Sequence, residues 1–191
     1  NVHLHVITLR NDFANSGLTN VQLVAPPVFK PVFNTTEPTK NHEGPVRIGF
    51  FGQFRKEKNL EPFIQAFMHT KFSVPVELVV QGATAKPEDT ALFNSLIEKY
   101  EHIPNIVFRH ESLIGKDWED ALLSVDAIAM PYAAERYRYH WGAMLFTAIG
   151  YNKPVLVSPE LNPEVLEQFP IGCVIQSLEE TDIIHALKGL V

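Results

Sequence analysis

Six short apolar runs, each followed by a stretch with helical periodicity, constrain the fold of this chain more than any other feature. The runs span residues 46–51, 76–80, 106–109, 127–130, 154–157 and 172–175. Most are apolar at consecutive positions, which is the pattern of strands that are buried on both faces of a parallel sheet. Between the runs, apolar residues recur at helical spacing, as at Leu60, Phe63, Ile64 and Phe67. The alternation predicts an α/β fold with a doubly wound, six-stranded parallel sheet and right-handed, Rossmann-like connections.

The first 45 residues have a different pattern. Residues 2–9 and 21–24 are predicted as strands and residues 11–16 as a short helix, and five prolines follow before residue 46. That composition is typical of a linker. We therefore expect residues 1–33 to be the end of a preceding domain and a crossover, residues 34–45 a linker, and residues 46–191 the main domain. The chain also begins inside an apolar alternating segment, so it is interpreted as part of something longer.

Composition excludes several classes of protein. A chain of 191 residues with 46% apolar residues can bury a full core. The net charge of −6 argues against non-specific binding to nucleic acid, which needs a positive surface. No apolar stretch approaches the roughly 20 residues of a membrane span. The only cysteine, Cys173, excludes a disulfide within one chain, which favours a reducing, cytoplasmic location.

The loop after the first run has the residues of an anion-binding site. Gly52 at the strand end allows the backbone to approach a ligand closely, and Asn59 is placed to cap a helix whose free N–H groups favour an anion. Arg55, Lys56 and Lys58 add positive charge. A solvated charged loop would show the same pattern. The loop is neither a Walker phosphate loop nor Gly-x-Gly-x-x-Gly, which disfavours those nucleotide-binding families.

Two further loops follow strands on the same predicted edge of the sheet. The loop that begins at His110 could present backbone groups to a nucleobase, although an ordinary turn fits equally well. Residues 132–142 hold three tyrosines, two arginines, His140 and Trp141 just before Gly142 and a helix. Aromatic faces pack on sugar rings and arginines pair with phosphates. A partner-binding surface uses the same residue types, but ligands bind at this edge of open α/β sheets, which favours a ligand.

A metal site is not expected. His3 and His5 lie on one face of a predicted strand, but no nearby cysteine or carboxylate completes a ligand set. We therefore expect no metal ion and no other cofactor.

Four segments together resemble one family. They are residues 21–28 (VQLVAPPV), 48–59 (IGFFGQFRKEKN), 126–131 (DAIAMP) and 153–155 (KPV). In order and spacing they are similar to the GT-B glycosyltransferases, especially the group 1 branch that includes sucrose and glycogen synthases and bacterial mannosyltransferases. The resemblance implies that this chain is the C-terminal, donor-binding half of a GT-B fold. Its substrate would be a nucleotide-diphosphate sugar, and an N-terminal half of the same chain would supply the acceptor site.

The resemblance also implies roles for individual residues. Lys58 would contact the donor diphosphate and Gly52 would let the backbone approach it. Gln53 stands where the family usually has an arginine, and Arg55 could reach in instead.

A pair of glutamates separated by seven residues, one of which binds the donor ribose, is expected before residues 153–155. Counting back places the pair at Tyr139 and Thr147, neither of which is acidic, and Glu135 lies four residues too early. The helix start at Trp141 and Gly142 better resembles divergent branches with Ser-Gly at this place. The residues expected to bind the donor are therefore Gly52, Gln53, Arg55, Lys58, His110, Glu135, Tyr139, His140, Trp141, Gly142 and Thr147.

Three functional hypotheses remain. The first is a glycosyltransferase domain that binds a nucleotide-sugar donor for transfer to a glycan, lipid or protein acceptor, and that is inactive without its N-terminal half. The second, motivated by the missing glutamates, is a non-catalytic relative that serves as partner or chaperone of an active transferase. The third is an unrelated module such as a receiver domain, which needs clustered acidic residues where this chain has Gly52, Gly82 and His110.

Overall fold

The computed structural model of the chain describes residues 4–8, 17–24, 27–33, 44–133, 135–138, 140 and 142–191. The first two strands, β1 (Val6–Thr8) and β2 (Val21–Leu23), pair in parallel as a small separate sheet. They lie within the two strands predicted for this region. The helix predicted at 11–16 and most of the predicted linker lie outside the described residues, so the domain boundaries stay predictions.

The six apolar runs form one sheet in which every neighbouring pair of strands is parallel. Its strands are β3 (Val46–Phe50), β4 (Val76–Gly82), β5 (Ile106–His110), β6 (Ala127–Met130), β7 (Val155–Val157) and β8 (Gly172–Val174). The order across the sheet is β5-β4-β3-β6-β7-β8. The predicted doubly wound, six-stranded parallel sheet is confirmed, and each strand lies within two residues of its predicted ends.

Helices follow the strands as the periodicity predicts. They are α1 (Leu60–His69), α2 (Pro87–Tyr100), α3 (Gly115–Leu123), α4 (Ala143–Gly150), α5 (Pro163–Gln168) and α6 (Glu180–Leu190). In α2, Pro87 occupies the first turn, where its missing N–H costs nothing, and Glu88 and Asp89 follow where acidic side chains are favoured. None of the helices in the described part of the chain is long and apolar enough to cross a membrane.

The core has two layers, one on each face of the sheet. Helices α1, α2 and α6 pack on one face around residues such as Phe50, Phe63 and Leu78. Helices α3, α4 and α5 cover the other face, around residues such as Ile128 and Leu145. Burying one such side chain contributes about 2 kcal/mol. Because both faces are covered, strands with consecutive apolar residues are stable here.

The strand order reverses between β3 and β6, which are neighbours in the sheet although two strands separate them in sequence. Loops from the two strands turn to opposite faces at such a switch point and leave a crevice beyond their carboxyl ends. The topology therefore places the loop after β3 next to the loop after β6.

Residues 27–33, which belong to the predicted crossover, are hydrogen-bonded to α3 through a buried carboxylate. They are called the crossover segment below. Glu119 of α3 accepts hydrogen bonds from the backbone N–H groups of Val32, at 2.7 Å, and Phe33, at 3.0 Å. Further along, a side chain at Gly150 would place its Cβ 1.9 Å from the carbonyl oxygen of Phe29, so the close approach of the two backbones requires glycine.

Candidate functional site

Two adjoining cavities lie beyond the carboxyl ends of β3, β4, β5 and β6. The first cavity, of about 370 Å³, is bounded by the loop after β3, the loop after β6 and the start of α4. The second cavity, of about 600 Å³, lies over the loops after β4 and β5. Gly52, Gln53 and Trp118 border both cavities, so the two form one cleft.

Gly52 forms the floor between the two cavities. Its backbone is in the left-handed region, with φ of 98°, which glycine adopts without strain. Its N–H donates to Oε1 of Gln81 at 3.0 Å, and Nε2 of Gln81 donates to the carbonyl of Glu111 at 2.6 Å. The buried Gln81 amide thus ties the loop after β3 to the loop after β5. A Cβ on Gly52 would lie 3.2 Å from Nζ of Lys58, so the glycine leaves the ammonium group accessible.

Lys58 places a buried ammonium group in the wall of the first cavity. The residue is only 9% exposed, and its Nζ donates to the carbonyl oxygen of Phe51 at 3.0 Å. Nζ also lies 5.3 Å from the ring centre of Tyr132. No carboxylate among the described residues forms an ion pair with it. Burial first, and then the charge of Arg55, lower the pKa of Lys58 to about 8. Burial therefore makes the charged form of Lys58 less favourable than it is in water, and a nearby anion would stabilise that charged form.

The loop after β3 also brings the guanidinium group of Arg55 to the first cavity. Arg55 and Gln53 both line the first cavity, and Nη2 of Arg55 donates to Oε1 of Gln53 at 3.4 Å.

The predicted helix cap at Asn59 is wrong. Asn59 has a left-handed backbone, with φ of 59° and ψ of 35°, and its side chain makes no capping hydrogen bond to α1. A capping residue normally needs an extended backbone to aim its side chain at the N–H groups. Here the 3-10 turn Lys56–Lys58 ends at Asn59 and forces the left-handed conformation instead.

The loop after β6 contributes aromatic walls. Tyr132 is buried, and its ring lies 4.7 Å from the ring of Tyr137. Burial raises the pKa of Tyr132 far above its ordinary value, so it stays a neutral phenol. Tyr137 and His140 line the first cavity. Glu135 lies in the 3-10 turn Glu135–Arg138, is exposed, and borders neither cavity.

Tyr139 and Trp141 lie outside the described residues, so their predicted contacts stay predictions.

The start of α4 closes the first cavity on its remaining side. The first amide groups of a helix have no partner within it and carry partial positive charge, and Ala143 and Met144 at this end line the cavity. Gly142 is buried, and its N–H donates to Oδ1 of Asn162 at 3.1 Å. A Cβ there would lie 2.5 Å from that oxygen, so a side chain at this position would displace the Asn162 amide. Thr147 also lines the cavity, and its hydroxyl donates to the carbonyl of Ala143 at 2.9 Å.

His110 is not brought to the cleft. Its ring packs edge-on against Phe93, Nδ1 lies 2.9 Å from Oδ1 of Asn94, and Nε2 lies 3.1 Å from the hydroxyl of Thr84. Thr84 borders the second cavity, with His110 behind it. Of the predicted donor-binding residues, the cavities therefore bring together Gly52, Gln53, Arg55, Lys58, His140, Gly142 and Thr147.

Among the residues that border the cleft and that the sequence analysis did not predict are Trp118 and Gln81. Trp118 fits the apolar face of α3, and its ring does pack edge-on against Phe51 at 5.9 Å, yet it also borders both cavities. Gln81 follows an apolar run at the carboxyl end of a strand. A polar residue at that point is a signal that could have identified it, because ligands bind at this edge. The described residues contain no group of three or more His, Cys, Asp or Glu side chains that could hold a metal ion.

Comparison with known proteins bears on the fold. No protein-family model and no curated protein matches the sequence. Among solved structures, the lipopolysaccharide outer core galactosyltransferase WaaB superposes with a TM-score of 0.66 at 13% identity, over 98% of this chain and 52% of that one. The C-terminal domain of the group 1 family glycosyltransferase LpcC from Francisella tularensis superposes with a TM-score of 0.61 at 21% identity, over 84% of this chain and 83% of that domain.

A third similar structure is Anabaena HepE in complex with UDP and glucose, with a TM-score of 0.62 at 14% identity, over 87% of this chain and 46% of that one. The chain spans about half the length of WaaB and HepE. Its fold is that of a GT-B glycosyltransferase domain. More narrowly, it is the fold of the C-terminal domain in the group 1 branch, which the sequence resemblance implied.

Proposed function

We propose that this domain binds a nucleotide-diphosphate sugar in the cleft and holds it for transfer to a glycan, lipid or protein acceptor, as a hexosyltransferase does. The observation that carries the proposal is the first cavity itself. Lys58, Arg55 and the start of α4 converge on it, and none of the described residues that line it is acidic. Such a site selects an anion.

The diphosphate is the part of the ligand that fits this charge. Lys58 is buried, and among the described residues its one hydrogen-bond acceptor is a backbone carbonyl, so an incoming phosphate oxygen would supply a counter-charge. Gly52 allows the backbone to approach, and the first amides of α4 add N–H donors. Donors held in place before the reaction stabilise a departing diphosphate without a metal ion. No metal is therefore proposed.

The remaining parts of the ligand fit the aromatic and backbone surfaces of the cleft. A sugar ring in the first cavity would pack on Tyr137, since aromatic faces suit the C–H faces of sugars. The nucleobase would lie in the second cavity, beside Ile114 and Trp118. HepE, which shares this fold, is described in complex with UDP and glucose, which supports a uridine nucleotide as the first ligand to test.

The acceptor site and any general base are proposed to come from a preceding domain, with residues 1–33 as its end and the crossover and residues 34–45 as the linker. By this proposal the chain alone binds the donor but turns nothing over. A cytoplasmic location is part of the same proposal, in keeping with the single cysteine of these 191 residues.

Calorimetric titration of the domain with UDP, GDP and ADP tests the proposal. We expect one of the three to bind, and Lys58→Met to weaken that binding by about 30-fold, because a charge-assisted contact of about 2 kcal/mol is lost. Lys56→Met is the matched control: it lies two residues away on the same turn but is exposed, and it should change the affinity less than about twofold. If none of the nucleotides binds while circular dichroism shows a folded domain, the proposal is wrong.

A non-catalytic relative is the second candidate, favoured by the lack of acidic residues among the described residues that line the cleft. It would have the same fold and would act as a partner of an active transferase. Donor hydrolysis or transfer by the chain joined to its preceding domain would exclude it. A stable complex with a transferase, without turnover, would favour it.

A further inference from the structure

The peptide group between Phe51 and Gly52 is hydrogen-bonded on both of its sides. Its carbonyl oxygen accepts from Nζ of Lys58 at 3.0 Å, and its N–H donates to Oε1 of Gln81 at 3.0 Å. Nε2 of Gln81 in turn donates to the carbonyl oxygen of Glu111 at 2.6 Å. The three hydrogen bonds form one continuous chain from the loop after β5 to the ammonium group in the wall of the first cavity.

The amide group of Gln81 fits its two partners in one orientation. A backbone N–H can only donate and a carbonyl oxygen can only accept, so Oε1 has to face Gly52 and Nε2 has to face Glu111. The side chain is 1% exposed, and its amide group therefore has no access to water as an alternative partner. The buried amide thus stabilises one orientation of the peptide group that precedes Gly52.

The backbone itself restricts that orientation little. Gly52 has φ of 98° and no side chain that would limit rotation about the bonds beside this peptide group. The paired stretch of β3 and β4 ends at Phe50, and pairing resumes in the same register at the bridge between Gln53 and Ala83. In the interval between them, the side chain of Gln81 supplies the acceptor for the Gly52 N–H.

The orientation of this peptide group decides where Lys58 holds its charge. The Phe51 carbonyl is the one hydrogen-bond acceptor that Nζ has among the described residues. If the peptide group turned over, its N–H would face the ammonium group, and an N–H cannot accept a hydrogen bond from it. With the carbonyl in place, Nζ is held at the cavity wall and keeps two further N–H donors for a ligand.

We propose that Gln81 is a positioning residue for anion binding, which holds the Lys58 ammonium group in the wall of the first cavity by fixing the peptide group between Phe51 and Gly52. Gln81 acts without touching the phosphates, since it borders the second cavity and not the first. The inference rests on the proposed function for the identity of the anion. The position of Lys58, in contrast, can be measured without a ligand.

Chemical labelling of the empty domain tests that position. Acetic anhydride in limiting amount acetylates lysines, and mass spectrometry gives the rate at each of them. Lys56 is exposed on the same 3-10 turn and serves as the reference within the molecule. In Gln81→Met, which keeps the length of the side chain and removes its amide, Lys58 should react at least about threefold faster relative to Lys56, because an amine that has lost its hydrogen-bond acceptor is released more readily.

Asn105→Leu is the matched control. The side-chain amide of Asn105 also links β4 to the neighbouring chain segment at β5, since Nδ2 donates to the carbonyl oxygen of Val76 at 3.1 Å. This hydrogen bond lies at the opposite end of the same two strands. Its loss should lower the stability of the domain by a similar amount and leave the labelling rate of Lys58 unchanged.

A double-mutant cycle tests whether Gln81 acts through Lys58. The probe is UDP, or GDP or ADP if that is the nucleotide which the domain binds. Gln81→Met should weaken its binding by about fivefold, but by less than about twofold when Lys58→Met is already present. Gln81→Asn, whose amide is one methylene group too short to reach both partners, should give the same pattern and replaces Gln81→Met if that variant does not fold.

The outcomes separate this inference from the proposed function. Additive losses in the cycle, or a labelling rate of Lys58 that the Gln81 variants leave unchanged, overturn the role of Gln81 while donor binding stands. Equal acceleration of labelling in Asn105→Leu also overturns it, because general loosening of the domain would then explain the effect. If no nucleotide binds the folded domain, the proposed function fails, and the labelling rates by themselves decide for or against Gln81.

Discussion

Lys58 and Glu119 are both charged and both buried, at 9% and 2% exposure, but the fold treats them differently. The Glu119 carboxylate accepts hydrogen bonds from two backbone N–H groups of the crossover segment, and so its charge is satisfied within the chain. The Lys58 ammonium has one backbone carbonyl and no ion pair with any described residue. It also lies at a cavity wall, which Glu119 does not.

The difference separates a charge that is compensated within the fold from one for which we propose a ligand-binding role. A buried charge costs several kcal/mol unless it is paired or hydrogen-bonded. The bonds to Glu119 offset that cost in the folded chain and attach one segment to another. The cost at Lys58 is offset in part by the Phe51 carbonyl and the Tyr132 ring, and by the proposed function a bound anion would offset the rest. The same physical penalty is therefore compensated by hydrogen bonds at Glu119, whereas at Lys58 we propose that a ligand compensates it.

The largest expected effect is on stability. Glu119→Ala should lower the free energy of unfolding by about 3 kcal/mol, because two backbone N–H groups lose their acceptor. Lys58→Met should leave it unchanged or raise it by up to about 1 kcal/mol, since an apolar side chain of similar size replaces an unpaired charge. Urea unfolding followed by circular dichroism measures both. Glu119→Gln, which keeps one acceptor oxygen, should fall between Glu119→Ala and the unmodified domain.

If Lys58→Met proves as destabilising as Glu119→Ala, the comparison breaks, because Lys58 would then be a structural charge as well.

Two asparagines allow the same comparison between a hydrogen-bonded side chain and one without a partner among the described residues, without a change of charge. Asn59 and Asn162 both have left-handed backbones, with φ of 59° and 47°, and both precede a helix. The side chain of Asn162 accepts the buried N–H of Gly142, whereas Nδ2 of Asn59 has no partner among the described residues. Asn162→Gly should cost about 1.5 kcal/mol of unfolding free energy. Asn59→Gly keeps the backbone conformation and should cost less than about 0.5 kcal/mol.

Both substitutions add the same freedom to the unfolded chain, so the difference between them isolates the hydrogen bond. Equal losses in urea unfolding would show that the bond to Gly142 contributes nothing.

The third expectation concerns pH. Since the pKa of Lys58 is lowered to about 8 and a bound diphosphate favours the charged form, nucleotide binding takes up a proton above that pH. The affinity should level off well below pH 8 and fall above it, with a slope that approaches about tenfold for each unit. Titrations between pH 7.5 and 9, in buffers of different ionisation enthalpy, measure both the slope and the proton uptake. Lys58→Met removes the slope and controls for ionisation of the nucleotide.

The stability of the unliganded domain should change in the opposite direction. The unfolded chain binds more protons than the folded one between the lowered pKa of about 8 and the ordinary value of 10.5, so unfolding free energy rises with pH across that window. An affinity that does not vary with pH would show that Lys58 is already fully charged in the empty cleft.

The fold was predictable because burial on both faces leaves its trace in every strand. β7, for example, is Val155–Val157 and all three residues are buried. The apolar runs did not predict the order of the strands across the sheet. That β3 lies beside β6 depends on which helices cover which face, and it decides that the loop carrying Lys58 meets the loop carrying Tyr137.

The candidate site was predictable only in part, for reasons visible in single residues. Lys56 and Lys58 look alike in the sequence, but the 3-10 turn exposes one and buries the other. His110 is the last residue of β5, at the edge of the sheet where a ligand is predicted to bind, yet it contacts Asn94 and Phe93 and borders neither cavity. Asn59 is a residue type that often caps a helix, but its left-handed backbone does not aim its side chain at the N–H groups of α1.

The sequence by itself determined the class of fold, the edge of the sheet where a ligand would bind, and the lack of the expected glutamates, because each depends on residue type and local period. The tertiary structure alone decided which cation is buried, which carboxylate accepts the N–H groups of residues 32 and 33, and which described residues border the cleft. The physical reason is that burial and pairing depend on neighbours that are distant along the chain, as Glu119 is from Val32.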